Sequence, residues 1–283
     1  MDPTISESDQ ELVAKARNGN MDALDALVRQ HQPWVFNLAL RMVWRREVAE
    51  DATQEILVKA VTKLSTFAGH SAFRTWLYRI AVNHLLNVRK SEMEEKSMTF
   101  TDLGASLDGV QDQELPDQRT LPVETAVLVE EAKLGCITAM LMCLDRRQRL
   151  AFILGEVFGE TSEAGAAAME VSPANFRQLL SRARQDLYQF MNGKCGLVNR
   201  ANPCRCARKA NGFMRNGWLD ATNLQFSKDR IATLKEVAAD RLDELQSLDR
   251  KHAELYRMQP FLAGPDLAQK LREILSQSGF DTN

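Results

Sequence analysis

Between Ile56 and Lys90 the chain runs thirty-five residues without an Asp or Glu, yet sets Lys59, Lys63, Arg74, Arg79, Arg89 and Lys90 among Phe67, Phe73, Trp76 and Tyr78. Cations follow phosphates, and aromatic rings stack on bases whatever the base sequence, so this mixture suits unpaired nucleic acid. Just upstream the sign reverses: Glu47, Glu50, Asp51 and Glu55 crowd one helical stretch, an anionic surface suited to a basic protein partner. For any single residue the alternative is a core aromatic or a solvated charge. Segregation of sign and residue type across the whole stretch is what favours an interface. A third set, Cys195, Cys204 and Cys206, lies in a Gly-, Asn- and Pro-rich stretch that has six bases and no acid from Asn192 to Trp218. Neighbouring arginines favour thiolate, the form that ligates a soft metal ion or is oxidised to a disulfide. The C-x8-C-x-C spacing supplies three ligands and not the paired spacing of structural zinc, so a metal site, a disulfide and an inert loop all stay open. Cys136 and Cys143, beside Ile137, Met140, Leu141 and Leu144, read as small hydrophobes on a buried helix face. No enzyme's site assembles: His31, His70, His84 and His252 are scattered, and a phosphate loop, H-E-x-x-H and nucleophile elbow are all missing.

The elements that must carry these residues read as helices throughout, an all-α fold. Leu24, Leu27, Val28, Val35, Leu38 and Met42 recur at helical spacing, and helices are expected over 9–17 (closed by Asn18-Gly19), 21–45, 47–67 and 71–89. These form a first bundle, residues 1–90. From Ser91 to Glu131 eleven acids face two bases, a net −9, with Gly104, Gly109 and Pro116 inside, so residues 91–121 read as an acidic linker. A second bundle spans 122–191, with Asp145 and the Ser172-Pro173 pair starting helices. On its last helix Phe176, Leu180, Ala183 and Leu187 share one face, while Arg177, Gln178, Ser181, Arg182 and Gln185 are left outside, as a helix reading a major groove requires. Residues 192–283 form a C-terminal extension with an amphipathic helix from Ser227 (Ile231, Leu234, Leu242) and another through Leu267, Leu271, Ile274 and Leu275, apolar enough to dock on the rest of the chain or on a partner. Net charge is only −2, so the charge blocks and not the total set the local field. No apolar run reaches membrane length and Met1-Asp2-Pro3 lacks a signal peptide's features, so a cytoplasmic protein without membrane contact is expected.

The stretch from Ala49 to Lys90 resembles region two of the extracytoplasmic-function sigma factors, promoter-specificity subunits of bacterial RNA polymerase, through D-x-x-Q-E (Asp51, Gln54, Glu55) and G-x-S-x-F-x-T-W (Gly69, Ser71, Phe73, Thr75, Trp76). The resemblance implies that Asp51, Gln54 and Glu55 dock on core polymerase. It also implies that Gly69, Ser71, Phe73, Arg74, Thr75, Trp76 and Asn83 open the minus-ten region and hold a flipped base. Leu57 and Val61 stand where that family commonly has aromatics. The stretch from Leu144 to Phe190 resembles region four, implying that Arg177, Gln178, Ser181 and Arg182 read the minus-thirty-five element. Gly165 replaces a large aliphatic there, and Glu170 a turn glycine. The implied partners are core RNA polymerase, promoter DNA and an anti-sigma factor. No cofactor is required, and a metal ion enters only through Cys195, Cys204 and Cys206. The competing reading is a helix-turn-helix DNA-binding regulator, or an anti-sigma-like interaction protein, that does not initiate transcription.

Overall fold

Ser8 opens the first helix with a capping box, its side chain accepting from the Glu11 amide while the Glu11 carboxylate accepts from the Ser8 amide at 3.1 Å. The computed structural model describes residues 8–88, 98–226, 248–257, 261–262 and 264–277. Its helices are α1 Asp9–Arg17, α2 Met21–Val43, α3 Arg46–Thr62, α4 Phe73–Asn87, α5 Phe100–Gly109, α6 Thr125–Met142, α7 Arg146–Phe152, α8 Ser162–Met169, α9 Pro173–Lys194, α10 Cys206–Arg215, α11 Leu248–Arg257 and α12 Ala268–Gln277. The only β pairing among the described residues is an isolated bridge between Cys195 and Cys204. The expected all-α class therefore holds. Packing divides the chain into two units: Met1–Arg89 with Glu163–Pro173 and Phe261–Asn283, and Lys90–Ser162 with Ala174–Pro260.

In the first unit α2 is the central element, packing on α1, α3 and α4. Its Val35, Phe36, Leu38 and Ala39 are fully buried with Ile56 of α3 and Ala81, Val82 and Leu85 of α4. Such side chains supply about 1.5–3 kcal/mol each when large and fully buried. Leu57 is buried, so the missing family aromatic is replaced by an aliphatic core residue. The tail segment around α12 also sits on α2. Asn37, fully buried, donates to the Leu262 carbonyl at 2.7 Å and accepts from the Leu262 amide at 3.0 Å. Gln32 donates to the Pro265 carbonyl and accepts from the Leu267 amide at 2.9 Å, while Arg272 pairs with Asp22 and Asp25 at 2.8 and 2.7 Å. Two side-chain amides thus satisfy backbone groups that a helix face alone would leave unpaired. The helix expected from Ser227 through Leu245 lies outside the described residues.

In the second unit Asp145 caps α7 as expected, accepting from the amides of Arg147 and Gln148 at 2.9 Å each. The next turn, Ile153–Val157, is π-helical, and Gly155 inside it lies so close to Leu180 and Phe176 of α9 that any side chain would collide. Inside the stretch read as a linker, Phe100–Gly109 form α5, a helix with its own packed face. Thr99 accepts from the Asp102 amide and Asp102 answers at the Thr99 amide, while Leu103, Leu107 and Val110 are buried. Phe100 meets Phe190 with ring centroids 5.2 Å apart, and Asp108 pairs with Lys194. Beyond α5 the chain docks on α10, where Lys209 pairs with Asp112 at 3.0 Å and donates to the Val110 carbonyl, and Asn211 donates to the Glu114 carbonyl at 2.7 Å. Two acids of the acidic run, Asp108 and Asp112, are thus paired with lysines of the basic run within this unit.

Candidate nucleic-acid interface

A cleft of about 550 Å³ opens on the first unit between the end of α3, the loop after it and α4, within the roughly 300–1,000 Å³ range of ligand clefts. Its wall includes Lys59, Lys63, Phe67, Ser71, Trp76, Arg79, Asn83 and His84. The loop is pinned from below by Arg17 of α1, which donates to the carbonyls of Leu64, at 3.1 Å, and Ser65. Gly69, at φ +75°, takes the left-handed turn that brings the chain back to α4, a conformation costing an L residue about 1–2 kcal/mol. The aromatic residues divide by role. Phe67, Phe73 and Tyr78 are buried, Phe73 standing edge-on to Phe67 at 5.5 Å and to His31 at 5.1 Å. Phe73 is a core residue, and it props Trp76 from a centroid distance of 5.4 Å. Trp76 is the half-buried aromatic that reaches the cleft wall.

Arg74 does not line the cleft. It lies over the rings of Tyr78 and Trp34 at 5.1 and 6.0 Å, which are themselves stacked at 3.6 Å. Thr75 is half-buried, while Gly69, Ser71 and Asn83 are exposed. Lys59 reaches the His84 Nδ1 at 2.7 Å, and burial together with that ammonium holds the imidazole below its ordinary pKa. Sequence spacing did not single out Lys59, Lys63, Arg79 and His84 as one wall, although they lie in the acid-free run.

The cleft's least expected member is Glu170. Its carboxylate pairs with Arg79 at 2.9 Å, accepts from Asn83 at 3.5 Å, and is held below the usual carboxylate range by those two hydrogen bonds. Glu170 sits at φ +53°, the left-handed geometry that explains the glycine usual at this turn. Nothing in the sequence joins it to residues 91 and 87 positions earlier.

On the outward side of α3, Asp51 and Glu55 are exposed and Gln54 half-buried. On α9, Arg177, Gln178, Ser181 and Arg182 are all exposed, with Phe176, Leu180, Ala183 and Leu187 buried behind them, as their spacing predicts. Cys195, Cys204 and Cys206 are half-buried free thiols, and burial raises the pKa of each, Cys206 to about 12. Neighbouring arginines are therefore outweighed by desolvation. Cys136 and Cys143 are half-buried too, beside the buried Ile137, Met140, Leu141 and Leu144. Among the described residues no three ligating side chains stand close enough together to hold a metal ion as placed. Nor is any described helix long and apolar enough to cross a membrane.

With this geometry in place, known proteins supply the class. The sigma-70 region 2 family matches residues 27–94, which hold the acidic face of α3 and all of the cleft except Glu170, and the sigma-70 region 4 family matches residues 134–187. The RNA polymerase sigma-H factor of Pseudomonas aeruginosa is 31% identical over 184 residues, covering 63% of this chain and 91% of that protein. The ECF RNA polymerase sigma-E factor of Escherichia coli is 30% identical over 182 residues, with the same two coverages of 63% and 91%. A solved structure of the sigma factor RpoE with the anti-sigma factor NepR from Bartonella quintana is similar at 24% identity and TM-score 0.39, covering 58% of this chain and 94% of that one. The chain belongs to the sigma-70 family of RNA polymerase sigma factors, in its extracytoplasmic-function group. It is a transcription initiation factor, and its partners are core RNA polymerase and promoter DNA.

Proposed function

We propose that the exposed face of α3 (Asp51, Gln54, Glu55) binds core polymerase, that the α3–α4 cleft captures an unpaired promoter base, and that Arg177, Gln178, Ser181 and Arg182 of α9 read the upstream element. The observation that carries this reading is the cleft's composition: one accessible indole set among Lys59, Lys63 and Arg79, with the Asn83 amide on the same wall. Opening about ten base pairs disrupts stacking worth roughly 1.4 kcal/mol per step, whereas a base on an aromatic returns about 1–3 kcal/mol. Capture at Trp76 therefore nucleates a bubble that polymerase must hold open. Glu170 occupies the two side chains a phosphate or base would use, so it competes with the strand. The protein works in the cytoplasm, without catalytic chemistry of its own, and an anti-sigma factor is a further candidate partner. The test is permanganate reactivity of promoter thymines with core polymerase and full-length protein. Trp76→Ala is expected to retain polymerase binding but lose about five- to hundredfold in open-complex formation, the equivalent of the lost stacking, and Glu170→Gln to gain. Undiminished thymine reactivity with Trp76→Ala overturns the assignment.

A further inference from the structure

In the second unit the C-terminal extension sends one short helix back onto the bundle that carries α9. α11 packs on the π-helical turn 153–157 and buries His252, Ala253 and Tyr256, one face at i, i+1 and i+4. Tyr256, fully buried, stands edge-on to Phe152 of α7 at 4.9 Å, and its hydroxyl donates to the Met140 sulfur of α6 at 3.8 Å. One turn earlier His252 stacks on Tyr188 of α9 with centroids 4.3 Å apart and meets the Asn192 Oδ1 at 3.1 Å. Three helices thus wall a groove that takes two rings spaced one helical turn apart.

The end of the groove is charged. Glu156, buried, gives one carboxylate oxygen to Arg184 of α9 and the other to Arg257 at the end of α11, at 2.9 Å. The Glu156 carbonyl, in the last turn before the chain leaves the helix, accepts from the Arg257 Nε at 2.7 Å. An arginine that answers both a carboxylate and a carbonyl of one residue fixes the register of the helix that carries it. Three observations make α11 an addition to this bundle and not part of its frame. The region 4 match ends at residue 187, well before α11 begins at Leu248. At ten residues α11 is shorter than the roughly 12–15 at which an isolated helix becomes marginal in water, so it forms on the surface that receives it. When α11 leaves, Arg184 still pairs with Glu156, so its departure strands no buried charge.

We infer that this groove is a docking site for an amphipathic helix, filled in the free protein by α11 as an internal ligand that a partner protein's helix of the same pattern displaces. The pattern is an aromatic ring, a second four residues on and an arginine immediately after it, the spaced anchors of helix-in-groove recognition. Because it is carried on the same chain, α11 competes from an effective concentration on the order of millimolar, so a free helix of equal intrinsic affinity gains access once the anchors of α11 are weakened. None of the residues assigned to polymerase, the promoter cleft or the upstream element takes part, so the docking stands or falls separately from those assignments.

The probe is a fluorescent peptide of residues 246–259, added to full-length protein and read by anisotropy. The full-length double variant His252→Ala, Tyr256→Ala is expected to bind it at least about tenfold more tightly than wild type does, and a peptide with the same two substitutions is expected to bind neither protein. In wild type alone, hydrogen exchange should show the amides of α11 opening at least about tenfold faster than those of α6 and α9, because the helix leaves while the bundle persists. No binding to the double variant, equal binding to both proteins, or equal binding of the two peptides overturns the docking site. Exchange of α11 at the rate of α6 also overturns it, since α11 would then be a fixed core element, and that wild-type measurement decides even if the variant fails to fold.

Discussion

Two acidic stretches look alike in the sequence and end in opposite situations. Glu47–Glu55 lies on α3 with Asp51 and Glu55 exposed, whereas in the second stretch Asp108 and Asp112 pair with Lys194 and Lys209 of their own unit. A run of charge becomes an interface only where the chain does not neutralise it elsewhere. In the second stretch the complementary run, Lys194 to Arg215, comes about ninety residues later and folds back onto it. In the first stretch Glu47 pairs with Arg45 at 3.8 Å, Glu50 with Arg46 at 3.0 Å, and Glu55 with Lys59 and His84 at 3.9 Å each, while Asp51 is exposed.

The largest effect expected from this difference is on stability. Lys209→Ala removes a nearly buried ammonium that satisfies the Val110 carbonyl and Asp112, so unfolding free energy should fall by about 2 kcal/mol, read from the shift in denaturant midpoint. Polymerase affinity should be untouched. A variant as stable as wild type would mean that the docked acidic segment is incidental. A smaller effect belongs to His84, which joins the acidic face of α3 to the cleft through Glu55 and Lys59. Burial and Lys59 depress its folded pKa, so the unfolded chain binds the proton more readily. The contribution is therefore complete above the ordinary imidazole pKa of about 6.5 and is lost as pH falls below it. A pH series of thermal unfolding should slope downward below that point in wild type and less in His84→Gln. Equal slopes would remove His84 from the account.

Helix spacing made most of the fold legible, because α1, α3, α4 and α9 each bury one face, while the second half of α2, from Trp34 to Val43, is buried all round. Exposure on α9 followed from the same periodicity. The linker was misread for a physical reason: Gly104 and Gly109 suggested breakage, yet Thr99-x-x-Asp102 is a helix-starting pair and Leu103, Leu107 and Val110 repeat at helical intervals. Net acidity masked that stripe. Within the cleft the sequence supplied Trp76 and Asn83, but could not separate Trp76 from Phe73, since neighbouring aromatics on a helix differ only in which way the packed bundle turns them. Glu170 was illegible as a site residue because it joins the cleft through tertiary packing, with no motif linking it to Arg79 and Asn83.

The most direct test of the contrast between the two acidic stretches is a competition measurement of core polymerase affinity for two double variants. Asp51→Ala with Glu55→Ala should weaken binding about tenfold or more, the equivalent of about 1.4 kcal/mol. Asp108→Ala with Asp112→Ala should leave it at the wild-type value. Equal affinity for the first variant and wild type, or equal losses in both variants, would contradict the assignment of α3 as the polymerase-binding surface.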